Sequence, residues 1–242
     1  VVVYPSWDCL PYSSISPRRE IISKRYSALR DSKTNGKNYK IVLLSVDSIL
    51  QKIVPANKIL EKSFFLGVDQ EIDLIGLTEW LEKNGYSRQS NVYSVGEYAV
   101  RGGILDIFVP EVKYPVRLDF FGTRLEKIRT FDPSSQISNG SMDNVKIFPV
   151  SEIILDEQSI DIFRQNYRRT IGTVTKSDRV YNSISETRYV EGIEHWLPLF
   201  HPKLSPIFSF FNGASFSYEG DLELMIENKW AQIVESRNFD LK

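Results

Sequence analysis

The chain has 242 residues, 42% of them hydrophobic and 25% charged, with 13 Gly and 11 Pro. That suffices for one large domain or two ordinary ones with a buried core, and it excludes disordered, collagenous and low-complexity architectures. Thirty basic against 31 acidic residues leave a formal charge of -1, so no bulk field draws the chain to nucleic acid or an anionic bilayer.

Val1 to Tyr4 and Tyr39 to Ser45 read as continuous apolar strands, the kind buried on both faces of a parallel sheet. The chain is thus expected to open inside a strand, as a piece of something longer. Between the two strands a helix is expected from Ser16 as N-cap and Pro17 at its first position, with Ile22, Tyr26 and Leu29 on one face. Lys33 to Asn38 is the polar return loop, and the whole is a βαβ pattern.

From about residue 63 the pattern changes. Leu74, Leu77, Trp80 and Leu81 give a short amphipathic helix that Asn84-Gly85 stops. Strands follow at 91–95, 98–101, 104–110, 116–121 and 124–131, joined by short turns such as Phe121-Gly122-Thr123-Arg124 that make neighbours antiparallel. An α+β insert is therefore expected, ending near a loop over 133–144. Beyond it, Ser159 to Arg169 is a helix with Ile160, Phe163 and Tyr167 aligned, and Ser183 to Tyr189 is a second candidate. Phe208 to Phe211 reads as a buried strand. Asp221 to Ser236 reads as a closing helix with Leu222, Leu224 or Met225, Trp230 and Val234 inward. The division is 1–62 and 150–242 as two segments of one α/β domain, with 63–149 inserted.

Enzyme chemistry is sparse. The only Gly-Lys, Gly36-Lys37, is followed by Asn38 and not by Ser or Thr, and Gly102-Gly103 sits between strands, so neither a phosphate loop nor a dinucleotide-binding turn is present. His195 and His201 are six apart, which suits no zinc motif, and the single cysteine, Cys9, reads as a bystander thiol. One cysteine also excludes an internal disulfide framework and suits a reducing, cytoplasmic compartment. Asp106 and Asp119 sit in strands among basic residues and read as solvated ion pairs. Arg18, Arg19, Lys24 and Arg25 offer a DNA-binding helix face or, with more weight, a solvated one. No apolar run approaches the roughly 20 residues of a membrane span.

Strand parity is more informative. In Val116 to Phe121, Val116, Leu118 and Phe120 share one face while Arg117, Asp119 and Phe121 share the other. With Arg101 beside the Gly102-Gly103 break, the same sheet can gather Arg101, Arg117 and Phe121 on one surface, the composition of a protein–protein hot spot. The pattern equally allows Phe121 to pack under its turn, or under the helix at 74–84, with both arginines solvated.

The run GEYAVRGGILDIFVPEVKYPVRLDFFGTRLEKIRTFDPSSQIS (Gly96 to Ser138), followed by KIFPVSE (Lys146 to Glu152), resembles the module shared by the excision-repair protein UvrB and transcription-repair coupling factors of the Mfd family. The flanks WDCLPYSSISPRREIISKR (Trp7 to Arg25), IVLLSVDSILQKIVP (Ile41 to Pro55) and GIEHWLPLFHPKLSPIFSFF (Gly192 to Phe211) are similar to the coupling factors throughout. UvrB carries a long aromatic hairpin for probing DNA damage. Here Leu10-Pro11-Tyr12 runs almost directly into Ser16-Pro17, which leaves no room for one.

The resemblance implies a degenerate helicase-like (RecA-type) α/β domain in two segments, without ATPase activity, and an inserted α+β domain that recruits UvrA. It places UvrA contact at Arg101, Arg117 and Phe121, with Asp119 and Arg129 toward the rim. Arg117→Ala is then expected to weaken UvrA binding without unfolding. ATP, magnesium, RNA polymerase and DNA belong by resemblance to other parts of the full-length protein, and no cofactor or metal is expected in these residues. The competing reading is a nucleotide- or DNA-binding fragment of a helicase such as UvrB.

Overall fold

The computed structural model describes residues 1–33, 41–55, 63–110, 112–211 and 213–240. The polar loop expected at 34–38 and the start of the strand at 39–40 lie outside them. The chain divides into two compact units, one made of residues 1–61 and 155–242, the other of 62–154.

In the two-segment unit, β1 (Val2–Tyr4) pairs in parallel with β2 (Val42–Leu44), and α1 (Arg19–Lys33) connects them. Ile22, Tyr26 and Leu29 are buried, as their helical spacing requires. The helix starts two residues later than expected. Ser16 does not cap it, because its Oγ accepts from the Gly192 N–H at 2.9 Å and donates to Glu194 Oε2 at 2.5 Å. The two strands are not buried on both faces. Val3 and Leu43 are 60% and 51% exposed, since α1 packs on β1 and the opposite parity has no comparable cover among the described residues. Arg25 is fully buried, its guanidinium 4.5 Å from the Tyr4 ring centre with Nη1 donating to Pro5 O at 3.0 Å. It therefore belongs to no solvated or DNA-facing patch.

The first segment continues through α2 (Val46–Leu50) and β3 (Lys52–Ile53). In the second, α4 (Glu157–Ile171) buries Ile160, Phe163 and Tyr167, with Phe163 stacked on Phe200 at 4.7 Å. Its neighbour α5 spans Arg179–Ser185 and begins four residues before the expected 183–189, because Asp178 caps it by accepting from the Tyr181 N–H. A short α6 (Leu197–Phe200) and β12 (Ser205–Pro206), antiparallel to β3, follow. The strand expected at 208–211 is instead a 3-10 turn over Ile207–Phe210, entered from the extended backbone of Pro206 and closed by Phe211 N–H to Phe208 O. The closing helix α7 (Leu222–Asp240) is present but turned: Leu224, Met225, Trp230 and Val234 are exposed, while Leu222, Ile226 and Ile233 are half-buried at the spacing of a single seam. That seam lies toward α2, where Lys229 pairs with Asp47.

The continuous unit is an α+β domain. Its entry strand β4 (Phe64–Gly67) pairs antiparallel with its exit strand β11 (Asn144–Ile147), Phe64 opposite Ile147. The helix α3 (Leu74–Lys83) is capped by Asp73, which accepts from the N–H groups of Ile75 and Gly76, and stops at Asn84-Gly85. Six strands form a mixed sheet in the order β10-β9-β8-β7-β6-β5: β5 (Ser87–Arg88), β6 (Glu97–Arg101), β7 (Ile104–Ile107), β8 (Val116–Phe121), β9 (Arg124–Phe131) and β10 (Ser138–Met142). Only β5 runs parallel to its neighbour. Residues 91–95 form turns instead of a strand, because Glu97 Oε2 takes the N–H groups of Tyr93 and Ser94. The expected loop at 133–144 contains β10 and the start of β11.

Candidate partner-binding surface

Alternation along β7, β8 and β9 gives the sheet two chemically different faces. Leu105, Ile107, Val116, Leu118, Leu125 and Ile128 point inward and are fully buried with Leu77 and Leu81 of α3. Each such side chain contributes about 1.5–3 kcal/mol of transfer free energy, which fixes the register and therefore what the other face presents. In that register Ala99, Asp106, Arg117 and Arg129 form one row across the strands, and Arg101, Ile104, Asp119 and Lys127 the next.

The outer face is an ordered set of charges. Asp106, only 2% exposed, accepts both prongs of the Arg117 fork, from Nε at 2.7 Å and from Nη2 at 2.8 Å. Arg117 also lies 4.6 Å over the Phe131 ring and donates from Nη1 to Gln136 O at 3.3 Å. Its side chain is 15% exposed, and hydrogen bonding to Asp106 raises its pKa further above an already high value. Gln136 holds a positive φ of 61° and donates its own amide to Pro133 O and Val92 O. A second fork joins Asp119 to Arg129, with both contacts at 2.8 Å. The reading of Asp106 as a solvated ion pair is thus corrected: that pair is desolvated, and the Asp119 pair is partly so.

Two expected site residues remain available to solvent. Phe121 is 77% exposed, which removes the alternative of a ring tucked under the Gly122 turn or α3. Arg101 is 49% exposed, with Nη2 donating to Asn91 Oδ1 at 2.6 Å and standing 3.8 Å from Asp106 Oδ2. Sequence reasoning found Arg101, Arg117, Asp119 and Phe121 on one face and read Asp106 as a solvated ion pair, but missed Asn91, Phe131 and Gln136. Parity could have supplied Phe131, which shares a face with Arg129 at the end of β9, whereas Asn91 and Gln136 come from chain turns that carry no period.

The two-segment unit holds a cavity of about 710 Å³ whose lining includes Trp7, Cys9, Tyr12, His195, His201 and Trp230. It contains no assembled nucleophile. His195 Nδ1 accepts from the Tyr12 N–H at 3.3 Å and Nε2 lies 3.1 Å from Ile15 O, so neither nitrogen is poised to take the Cys9 proton from 3.9 Å. Burial, with Asp8 and Glu194 adding to it, pushes the thiol up to about 11. Among the described residues no cluster of three or more His, Cys, Asp or Glu side chains could hold a metal ion, and no helix is long and apolar enough to cross a membrane.

The family model described as "UvrB interaction domain" matches residues 64–153, which contain every strand of the charged face. Transcription-repair-coupling factors match much more of the chain: that of Haemophilus influenzae is 33% identical over 211 residues, covering 87% of this chain and 18% of the relative. The chain is homologous to transcription-repair-coupling factors. The Escherichia coli K12 protein is 31% identical over 239 residues, 97% of this chain and 21% of that protein, and the Rickettsia bellii protein 32% over 212 residues, 88% and 19%. The chain therefore spans about a fifth of the length of these relatives. Within the matched residues 64–153, Arg101, Arg117, Asp119 and Phe121 stand on the outer face, and the helix α3 covers the inner one.

Proposed function

We propose that the outer face of the UvrB interaction domain binds the excision-repair protein UvrA, and that this chain is a non-catalytic recruitment module linking stalled RNA polymerase to nucleotide excision repair. The observation that carries the reading is Phe121, 77% exposed on a sheet face whose neighbouring side chains are held by charge forks. A large aromatic kept in water on a rigid, arginine-bearing surface costs solubility and is the form of a binding anchor. The two-segment unit is read as a helicase-like domain of RecA type that has lost nucleotide chemistry; its β1-α1-β2 parallel unit and the absence of a phosphate loop in these 242 residues support that. ATP, magnesium, DNA and polymerase contacts are assigned to other parts of the full-length protein, which works in the cytoplasm.

The test is a calorimetric titration of UvrA into the chain and into Phe121→Ala. Binding by the parent and a loss of about 2 kcal/mol or more in the variant are expected. No heat with the folded parent, or unchanged curves for the variant, would overturn the reading. A phosphate-release assay with ATP should stay at the buffer rate.

A further inference from the structure

The cavity of the two-segment unit is walled by rings: Trp7 and Tyr12 come from the loop after β1, and Trp230 from α7. Tyr12 and Trp230 are 46% and 57% exposed, so two large aromatic side chains stay largely in water while lining a hollow of about 710 Å³, a volume typical of small-molecule sites. Tyr12 also holds a φ of 63°, a left-handed conformation that an aromatic residue adopts only under strain. The turn that imposes it is pinned by the Tyr12 N–H on His195 Nδ1 and by the Ser13 N–H on Leu10 O, each at 3.3 Å. The polar groups of the lining divide by sign. Both carboxylates are engaged: Asp47 pairs with Lys229, and Glu194, 6% exposed, accepts from Ser16 Oγ. Lys52 and Lys203 are exposed, and neither has an ion pair among the described residues. Aromatic walls with unpaired charge of one sign select a flat apolar body that carries the opposite charge.

We propose that this cavity binds a small planar aromatic anion, a carboxylate or sulfonate on a body of two or three rings, with Tyr12 and Trp230 meeting the rings and Lys52 and Lys203 receiving the charge. The site lies in the two-segment unit and does not rest on the UvrA reading. Ring contact supplies most of the affinity, while the lysines, hydrated point charges on flexible stems, supply the preference for an anion. The lining comes from both chain segments, from residues 7–52 of the first and 194–233 of the second. Occupancy therefore favours the state in which those segments are folded together, and the ligand stabilises the unit by mass action.

The experiment titrates anilinonaphthalene sulfonate into the whole 242-residue chain by fluorescence and displaces it with three matched compounds, naphthoate, naphthylmethanol and naphthylmethylammonium. One saturable site is expected, with naphthoate displacing the probe roughly tenfold better than the ammonium compound. Trp230→Ala, at an exposed position, should weaken probe binding roughly tenfold with the urea midpoint unchanged. Tyr12→Gly should weaken it as well without lowering the midpoint, because Gly takes a φ of 63° freely. Lys52→Glu combined with Lys203→Glu should turn the preference toward the ammonium compound. Phe216→Ala removes an exposed ring outside the cavity and should leave binding as in the parent. Saturating naphthoate should raise the thermal midpoint of the parent and not that of Trp230→Ala. No saturable binding by the folded chain, binding that survives both Trp230→Ala and Tyr12→Gly, or equal loss with Phe216→Ala would overturn the site. Equal displacement by the three naphthalenes would overturn the assignment of an anion as its ligand.

Discussion

Arg117 and Arg101 carry the same charge on the same face and differ in what their removal would report. Truncating Arg117 leaves Asp106 charged and buried with only the longer 3.8 Å contact to Arg101, a loss of up to about 3–5 kcal/mol. Arg117→Ala is therefore expected to lower stability substantially, contrary to the sequence-based expectation of a folded variant, and denaturant midpoints should separate it clearly from Arg101→Ala. Replacing both members, as in Asp106→Leu with Arg117→Leu, should recover most of the loss, because no unpaired charge remains. Arg129→Ala, at a pair only partly shielded from solvent, should cost less, about 1 kcal/mol. Cys9 offers a chemical check on the two-segment unit. With its thiol pushed up to about 11, alkylation at pH 8 should run roughly a hundredfold slower than for a free cysteine and rise steeply only as pH approaches that value. Fast labelling at pH 8 would contradict the burial of its sulfur.

At the scale of elements, the β6–β7 and β8–β9 hairpins decide whether the surface exists at all. Gly103 lies against β8 so closely that a Cβ there would lie 2.6 Å from Phe120 O, and Gly103 O accepts from the Phe120 N–H at 2.7 Å. Gly103→Ala should therefore shift β7 against β8 and cost about 1–3 kcal/mol in urea unfolding. Gly102, at φ 59° with open space around it, should tolerate Asn at little cost. These hairpins were also the most legible part of the sequence. Period-two alternation in Val116 to Phe121 gave the face of each residue because burial of one parity dominates the energetics. Two-residue strands such as β5 are too short to show a period, and β4 lies where Phe64-Phe65-Leu66 fits any buried element. The closing helix α7 was found but its face was not, since its apolar residues occur all round and composition cannot say which side meets α2. The Asp–Arg forks were invisible for another reason: alternation places both partners on one face, while only the register sets Asp106 opposite Arg117.

The division of the whole chain follows from where cores close. Every member of the large core of the continuous unit, from Leu66 to Val150, lies within residues 62–154, and the unit's entry and exit strands are hydrogen-bonded partners. Ends that meet at Phe64 and Ile147 mean that such a domain can interrupt another chain segment with little loop-closure cost, and can equally be cut out. Residues 62–154 expressed alone are therefore expected to fold and to unfold in a single cooperative transition. Trp80, the only tryptophan in that span and edge-on to Phe64 at 5.7 Å, supplies the fluorescence signal. Coincidence of its transition with that of far-UV circular dichroism would establish an autonomous domain; non-coincident curves, or dye binding before unfolding, would show that its core depends on the flanking segments. If the fragment also retains the UvrA affinity of the whole chain, the binding surface is complete within it, and the two-segment unit contributes nothing to the encounter.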